Sequence, residues 1–513
     1  MNSNDPMIEG TPDPVIAFEK PRPARLDSID FLRGLVMIIM ALDHVRDFFS
    51  DRLFLDATDL TRTTPANFLT RWVTHFCAPT FIFLAGTAAF LSGTRGKSKS
   101  ALSWFLFTRG VWLAFFEVVV NRIMWMFNFD WHHHGAGVFW AIGWSMVALS
   151  LLVYLPTYVV TTFGVLMIVL HNLLDNLKPA DVPIPGWLWT ILHYPGDATV
   201  VARGAFETSY TFGTGYCLIP WMGVMAAGYG FGTIMLLDRP TRRRCLFQLG
   251  IALTLGFILL RAVNFYGDPR TRTEQSSGYN LQLISSPDDI SSIPVKAKSL
   301  VIVAAENDTL HFRIFDRDGK VVVDADETSL TEHARQIDAL KTQLKNLWLP
   351  HELTNSEKDP VINAVTSIVG HSQSSPLWTF MAFLNCTKYP ASLLYLLMTL
   401  GPAILALAVF DRPLGSLAKP IITFGRVPLF YYLLHIPLIH GGAVLLDYLR
   451  FGWSPLATAG PWEVKESEIP STYGVSLPVV YLIWIGVVLI LYYPCRWFAA
   501  VKQRRRDVWL SYL

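Results

Sequence analysis

The chain has 513 residues, 52% of them hydrophobic and only 16% charged, with a formal net charge of +2. Soluble proteins carry about a quarter charged residues, so this composition speaks against an ordinary water-soluble enzyme, and the near-neutral balance offers nothing to a nucleic acid. The five cysteines, Cys77, Cys217, Cys245, Cys386 and Cys495, are scattered and form no CxxC pair, so neither a disulfide framework nor a zinc site is expected.

In chain order, residues 1–25 are polar and proline-rich and lack the apolar run of a cleavable signal, so they read as a disordered cytoplasmic tail. After them, apolar runs of the roughly 20 residues that a bilayer-spanning helix needs recur. They fall at about 31–49, 72–93, 101–120, 138–155, 157–172, 212–237, 245–266, 391–410, 421–445 and 475–499. Soluble helices show a polar face to water, and these runs have little of one. The expected fold is therefore an all-α polytopic membrane protein of about ten transmembrane helices with a small α+β soluble insert. Residues 26–269 would hold seven spans; residues 377–513 would hold three, followed by a basic tail.

Basic clusters follow alternate spans: Arg95, Lys97 and Lys99; Arg239 and Arg242–Arg244; Arg412 and Lys419; Lys502 and Arg504–Arg506. Positive loops stay cytoplasmic, so both termini are expected in the cytoplasm, with the protein in the plasma (inner) membrane. The stretch 50–71, with Arg52, Arg62 and Arg71, runs against this rule.

Residues 270–376 break the apolar rhythm and are expected as an extracytoplasmic α+β insert. Strands are expected at Ser299–Ala304, Leu310–Phe315 and Lys320–Val323, separated by turn residues. Ser329 and Glu332 form a capping box that opens an amphipathic helix to about Trp348. A second helix is expected over Asp359–Val369. The insert reads as an accessory, or as a module that binds substrate or a partner.

An ionisable residue inside a span costs free energy and so asks for a function. The first span carries Asp30, Arg33, Asp43, His44, Arg46 and Asp47. An imidazole with a pKa near 6.5 suits proton removal at neutral pH, which makes His44 a candidate general base. Asp43 or His75, at the start of the second span, could assist it. Neighbours on one helix do not easily bond each other, so a partner for His44 is expected from another span. The bland alternative is a polar cluster that wets a helix end. Arg109, Glu117 and Arg122 along the third span and His435 and His440 in the ninth carry the same ambiguity. The last two are five residues apart, on different faces, which disfavours a shared metal, as does the adjacency of His132, His133 and His134.

The run Arg25-Leu-Asp27-Ser-Ile-Asp30-Phe-Leu-Arg33-Gly34, followed by Asp43-His44, resembles the start of the membrane-bound heparan-α-glucosaminide N-acetyltransferase family, the bacterial branch most closely. Phe76–Gly86, Asn264–Pro269, Phe383–Pro390, Gly425–Tyr431 and the tail from Tyr493 to Leu513 agree with that branch. The resemblance implies a transmembrane acyltransferase that uses acetyl-CoA as co-substrate. Arg33, Arg109 and Arg426 would meet its pyrophosphate, and its pantetheine arm would thread between spans. His44 would deprotonate the hydroxyl or amine of a sugar or envelope glycan on the outer side. Animal members carry an asparagine where His44 stands and their catalytic histidine about ten residues later, whereas no histidine lies between His44 and His75 here. Either His44 takes over the role or the chemistry differs. Trp131, Trp187 and Trp189 suit sugar stacking or interface anchoring. A multi-span carrier for a solute or proton, a non-enzymatic membrane scaffold, and a homodimer all stay open at this point.

Overall fold

A computed structural model describes residues 26–512 apart from 54–55, 61–62, 203–207, 264, 270–279, 285–298, 305–308, 316–320, 329–375, 465–467, 471 and 506. The elements are α1 (Asp27–Phe49), α2 (Pro65–Thr74), α3 (Cys77–Gly93), α4 (Lys99–Phe116), a π-helical turn Glu117–Asn121 and α5 (Arg122–Met126). There follow β1 (His133–Gly135), α6 (Val138–Leu152), α7 (Thr157–Leu170), α8 (Gly186–Leu192), β2 (Gly196–Ala202), β3 (Thr208–Thr214), α9 (Leu218–Phe231) and α10 (Arg239–Val263). Then come β4 (Asn280–Ile284), β5 (Ser299–Ala304), β6 (Thr309–Phe315) and β7 (Val321–Thr328). Last are α11 (Pro376–Leu384), α12 (Leu393–Phe410), α13 (Lys419–Arg426), α14 (Pro428–Phe451) and α15 (Leu477–Arg504).

Among the described residues, eight helical stretches are long and apolar enough to cross a membrane. They run over Pro65–Gly93, Lys99–Met126, Thr157–Leu174, Leu218–Leu236, Arg239–Val263, Leu393–Phe410, Pro428–Phe451 and Leu477–Arg504. The apolar α6 is shorter, and α1 has the length but carries the charged cluster. The protein is a polytopic, mostly helical membrane protein. The ten apolar runs correspond to these eight stretches plus α1 and α6.

Several boundaries differ from the sequence reading for local reasons. The run 212–237 is a strand up to Thr214 and a helix only from Leu218. The run 421–445 covers two helices, because Pro428 cannot continue α13 and starts α14 instead. Arginines 239 and 242–244, which are good helix formers, extend α10 well ahead of its apolar run. The strands β1, β3 and β2 make a three-stranded sheet in that order, which the sequence reading did not anticipate.

In the insert, β4–β7 pair in sequence order, β4 with β5 parallel and the rest antiparallel. Three of these strands match the expected ones, and β4 is additional. The two helices expected at 329–348 and 359–369 lie outside the described residues, as does the amino-terminal stretch.

The charged helix α1 sits at the centre of the bundle, packed on α3, α12, α13, α14 and α15. Small residues permit this closeness. A Cβ on Gly34 would strike the Ile421 carbonyl, and one on Gly425 the Asp30 carbonyl. Where α10 begins, Arg242 grips Asp411 in a buried fork, Nε to Oδ2 at 2.8 Å and Nη2 to Oδ1 at 3.0 Å.

Candidate active site

Two cavities meet in the middle of the bundle, of about 360 and 650 Å³. Six residues line both: Asp43, His44, Val138, Tyr216, Lys388 and Tyr432. The smaller cavity runs along α1 to Arg33, Ser92, Phe105 and Arg109. Its wall between is apolar, with Met37, Met40, Ala85 and Leu106 among the residues. Eleven residues separate Arg33 from His44, a rise of about 16 Å along the helix. The larger cavity extends the other way, to His133 and His134 of β1 and to loop residues that include Tyr389, Trp462 and Glu463.

At the junction, His44 Nδ1 lies 2.7 Å from His435 Nε2. The partner comes from another span, but it is an imidazole and not the carboxylate that was expected to hold His44. The fully buried His435 directs Nδ1 at the Tyr432 carbonyl, 2.8 Å away, and at the Tyr431 carbonyl at 3.2 Å. A carbonyl only accepts, so this nitrogen carries the proton. In the neutral ring Nε2 then accepts, and His44 Nδ1–H donates to it. Nε2 of a neutral His44 is therefore left as an unprotonated base. Trp125 and Tyr432 stand edge-on to the His44 ring, and Trp125 Nε1 donates to the Tyr432 hydroxyl at 3.0 Å.

Asp43 does not bond His44. Its carboxylate is held by Arg71 and, at 3.1 Å, by Arg46, which also pairs with Asp47 at 2.7 Å. The alternating acids and bases of this cluster bind one another across α1 and α2. His75 is buried against Tyr395, which donates its hydroxyl to the His75 carbonyl at 2.8 Å. Its ring does not line either cavity.

The two remote motifs 264–269 and 383–390 join here. The Asp268 carboxylate accepts from the Thr387 amide at 2.8 Å, the Thr387 hydroxyl at 2.7 Å and the Ser392 hydroxyl at 3.2 Å. This clasp fixes the connection from α11 to α12 and puts Lys388 and Tyr389 at the cavities. Arg261 supports it from below: fully buried, it donates to the carbonyls of Ala382, Phe383 and Asn385 at the end of α11. Cations are favoured at a helix C-terminus. Asn264 lies outside the described residues.

Glu117 caps another helix. It accepts from Asn121 Nδ2 at 2.7 Å and from the Phe139 amide at 2.9 Å, in the first turn of α6. The π turn widens α4 there, a feature frequent at functional sites. Arg122 braces the loop that follows α5 through the His133 carbonyl at 2.9 Å and Asn128 Oδ1 at 2.8 Å. In that loop the His132 amide and ring hold the Asp130 carboxyl below its ordinary range, while burial lowers the pKa of His134. Among the described residues, no group of three or more His, Cys, Asp or Glu is placed to hold a metal ion.

Of the three arginines expected to meet pyrophosphate, Arg33 and Arg109 come together at one end of the smaller cavity. Arg426 does not line that cavity and is paired with Asp27 at 3.3 Å and Asp30 at 3.6 Å. None of Trp131, Trp187 and Trp189 lines either cavity. Trp462 does instead: it is exposed and stacks on Trp125 with centroids 4.6 Å apart. The sequence reading carried Lys388 and His435 only among its ambiguous candidates, and it missed Arg71 and Trp462 as members of the site. The signal available for the first two was only that ionisable residues lay in or beside a span.

No curated protein matches the chain. His435, Lys388 and Asp268 lie beyond the stretch that has a family match. Residues 25–260 match the family model described as Heparan-alpha-glucosaminide N-acetyltransferase, catalytic. That stretch, which holds Arg33, Asp43, His44 and Arg109, is similar to the catalytic domain of a membrane acetyltransferase family.

Proposed function

We propose that the protein transfers an acetyl or other acyl group from cytosolic acyl-CoA to a sugar or envelope glycan on the far side of the membrane. The observation that carries this reading is the pair of cavities that meet at His44, one ending in Arg33 and Arg109. The phosphates of CoA would sit at the two arginines, whose planar guanidinium groups match phosphate oxygens. The pantetheine arm would lie along the apolar wall and bring the thioester to His44. The acceptor would occupy the larger cavity, with a sugar ring on the exposed face of Trp462.

In the reaction, the acceptor hydroxyl or amine attacks the thioester carbon while His44 Nε2 takes its proton. The tetrahedral intermediate collapses with cleavage of the C–S bond, and the proton passes from His44 to the departing thiolate. Asp43, already bound to two arginines, acts as an anchor for the end of α1. His75 is assigned no part in the proton transfer.

Spans that alternate in direction along the chain support placing Arg95, Lys97, Lys99, Arg239 and Lys502 at the same end of the bundle as Arg33. With positive loops inside, this end faces the cytoplasm and its CoA pool, in the plasma (inner) membrane, with both termini and the donor on one side. The insert 270–376 would then face the acceptor side.

The test is direct. Purified protein is given radiolabelled acetyl-CoA and glucosamine as probe acceptor. Label in the amino sugar, with stoichiometric release of free CoA, is the expected result. Absence of acetyl-CoA binding would contradict the proposal, as would solute uptake into proteoliposomes without thioester turnover.

A further inference from the structure

We infer that Lys388 is a catalytic residue of this site: its ammonium group stabilises the oxyanion that forms on the thioester carbonyl. The inference rests on the acyltransferase reading above and names a part of the reaction which that reading leaves unassigned. A base that removes a proton does nothing for the negative charge that appears on the carbonyl oxygen. A preorganised cation or donor at that oxygen is commonly the larger contribution.

The position is the first argument. Lys388 lines both cavities, as does His44, so a thioester carbon brought to the base lies beside the ammonium. The second argument is rigidity. The Asp268 carboxylate binds Thr387 and Ser392 on either side of Lys388, so the backbone that carries it is clamped at both flanks. The third is charge. The ammonium lies over the rings of Tyr389 and Tyr216, 5.1 and 5.7 Å from their centroids. Ring faces hold a cation without neutralising it. Among the described residues no carboxylate forms an ion pair with Lys388. Asp43, on the same cavity walls, is taken up by Arg71 and Arg46. The other cations of the junction are thus compensated, and Lys388 keeps its charge for an incoming anion.

The acceptor X–H adds to the carbonyl carbon, and its proton goes to His44 Nε2. The carbonyl π pair moves onto oxygen, where it meets the Lys388 ammonium. As the pair returns, the C–S bond breaks and the thiolate takes the proton back from His44. Lys388 changes neither its proton count nor its bonds.

The experiment uses the full chain in lipid nanodiscs, with acetyl-CoA as donor and glucosamine as probe acceptor, reading thiol release and equilibrium binding of acetyl-CoA. Lys388→Met is expected to lower kcat by about 100-fold while acetyl-CoA affinity stays within about twofold. Lys388→Arg, which keeps a cation, should recover about tenfold of that loss, a rescue that a space-filling role would not give. Retained binding certifies the fold of each variant; Lys388→Gln serves if the methionine variant does not assemble. A Lys388→Met kcat within about threefold of the wild type would overturn the role, as would a loss confined to acetyl-CoA binding. A wild-type protein that binds acetyl-CoA but releases no thiol would instead sink the acyltransferase reading, and this role with it.

Discussion

Replacing His44 by alanine is expected to lower acetyl transfer by about 10²–10⁴-fold, the range that a general base contributes, with acetyl-CoA binding retained. The expectation follows from the hydrogen-bond chain and not from the presence of a histidine alone. The Tyr432 carbonyl fixes the proton on His435 Nδ1; His435 Nε2 then accepts from His44 Nδ1, and the lone pair of His44 Nε2 is left for the acceptor. The same chain requires His435→Ala to lower kcat as well, since His44 then loses what selects its tautomer. Equal label transfer by the wild type and His44→Ala would remove His44 from the mechanism.

The joint substitution of Arg33 and Arg109 by glutamine has the next largest expected effect. Hydrogen bonds to charged groups contribute roughly 1.5–3 kcal/mol each, so acetyl-CoA affinity should fall by about 10²–10⁴-fold. S-acetylpantetheine, which lacks the nucleotide phosphates, should be turned over equally well by wild type and variant. That control separates loss of a phosphate site from general damage to the bundle. Arg426→Gln should leave donor affinity nearly unchanged, because Arg426 is engaged with Asp27 and Asp30. An acetyl-CoA affinity within about threefold of wild type in the double variant would contradict the assignment of the smaller cavity to the donor.

The membrane architecture was legible because length and apolarity are local properties. Each span announces itself within about 20 residues, and the charged first span stood out as a functional segment for the same reason. The site was less legible because its contacts are remote in sequence. His435 is 391 residues from His44, and its tautomer depends on two backbone carbonyls that no spacing rule reveals. Lys388 read as a cation just ahead of a span; its role depends on Asp268, more than a hundred residues earlier. Asp43 illustrates the opposite hazard. Beside a histidine it looks like a catalytic partner, but geometry along one helix turns it towards Arg71 and Arg46.

The same distinction explains the aromatic residues. Tryptophans in predicted loops are natural candidates for sugar stacking, yet the residue on the wall of the larger cavity is Trp462, which rests on Trp125 from another part of the chain. Only tertiary packing decides which exposed ring faces a cavity. The π turn at Glu117–Asn121 is equally invisible in the sequence, although it turns the Glu117 carboxylate onto the start of α6.

In the proposed reaction the two cavities serve substrates from opposite sides of the membrane and exchange the acyl group where they meet. Sidedness in proteoliposomes tests it most directly. Acetyl-CoA is supplied on one face only and glucosamine on the other, with both products assayed in each compartment. Free CoA is expected on the donor side and acetylated glucosamine on the acceptor side, for one orientation of the protein and not the other. Transfer that occurs only when donor and acceptor share a compartment would contradict it.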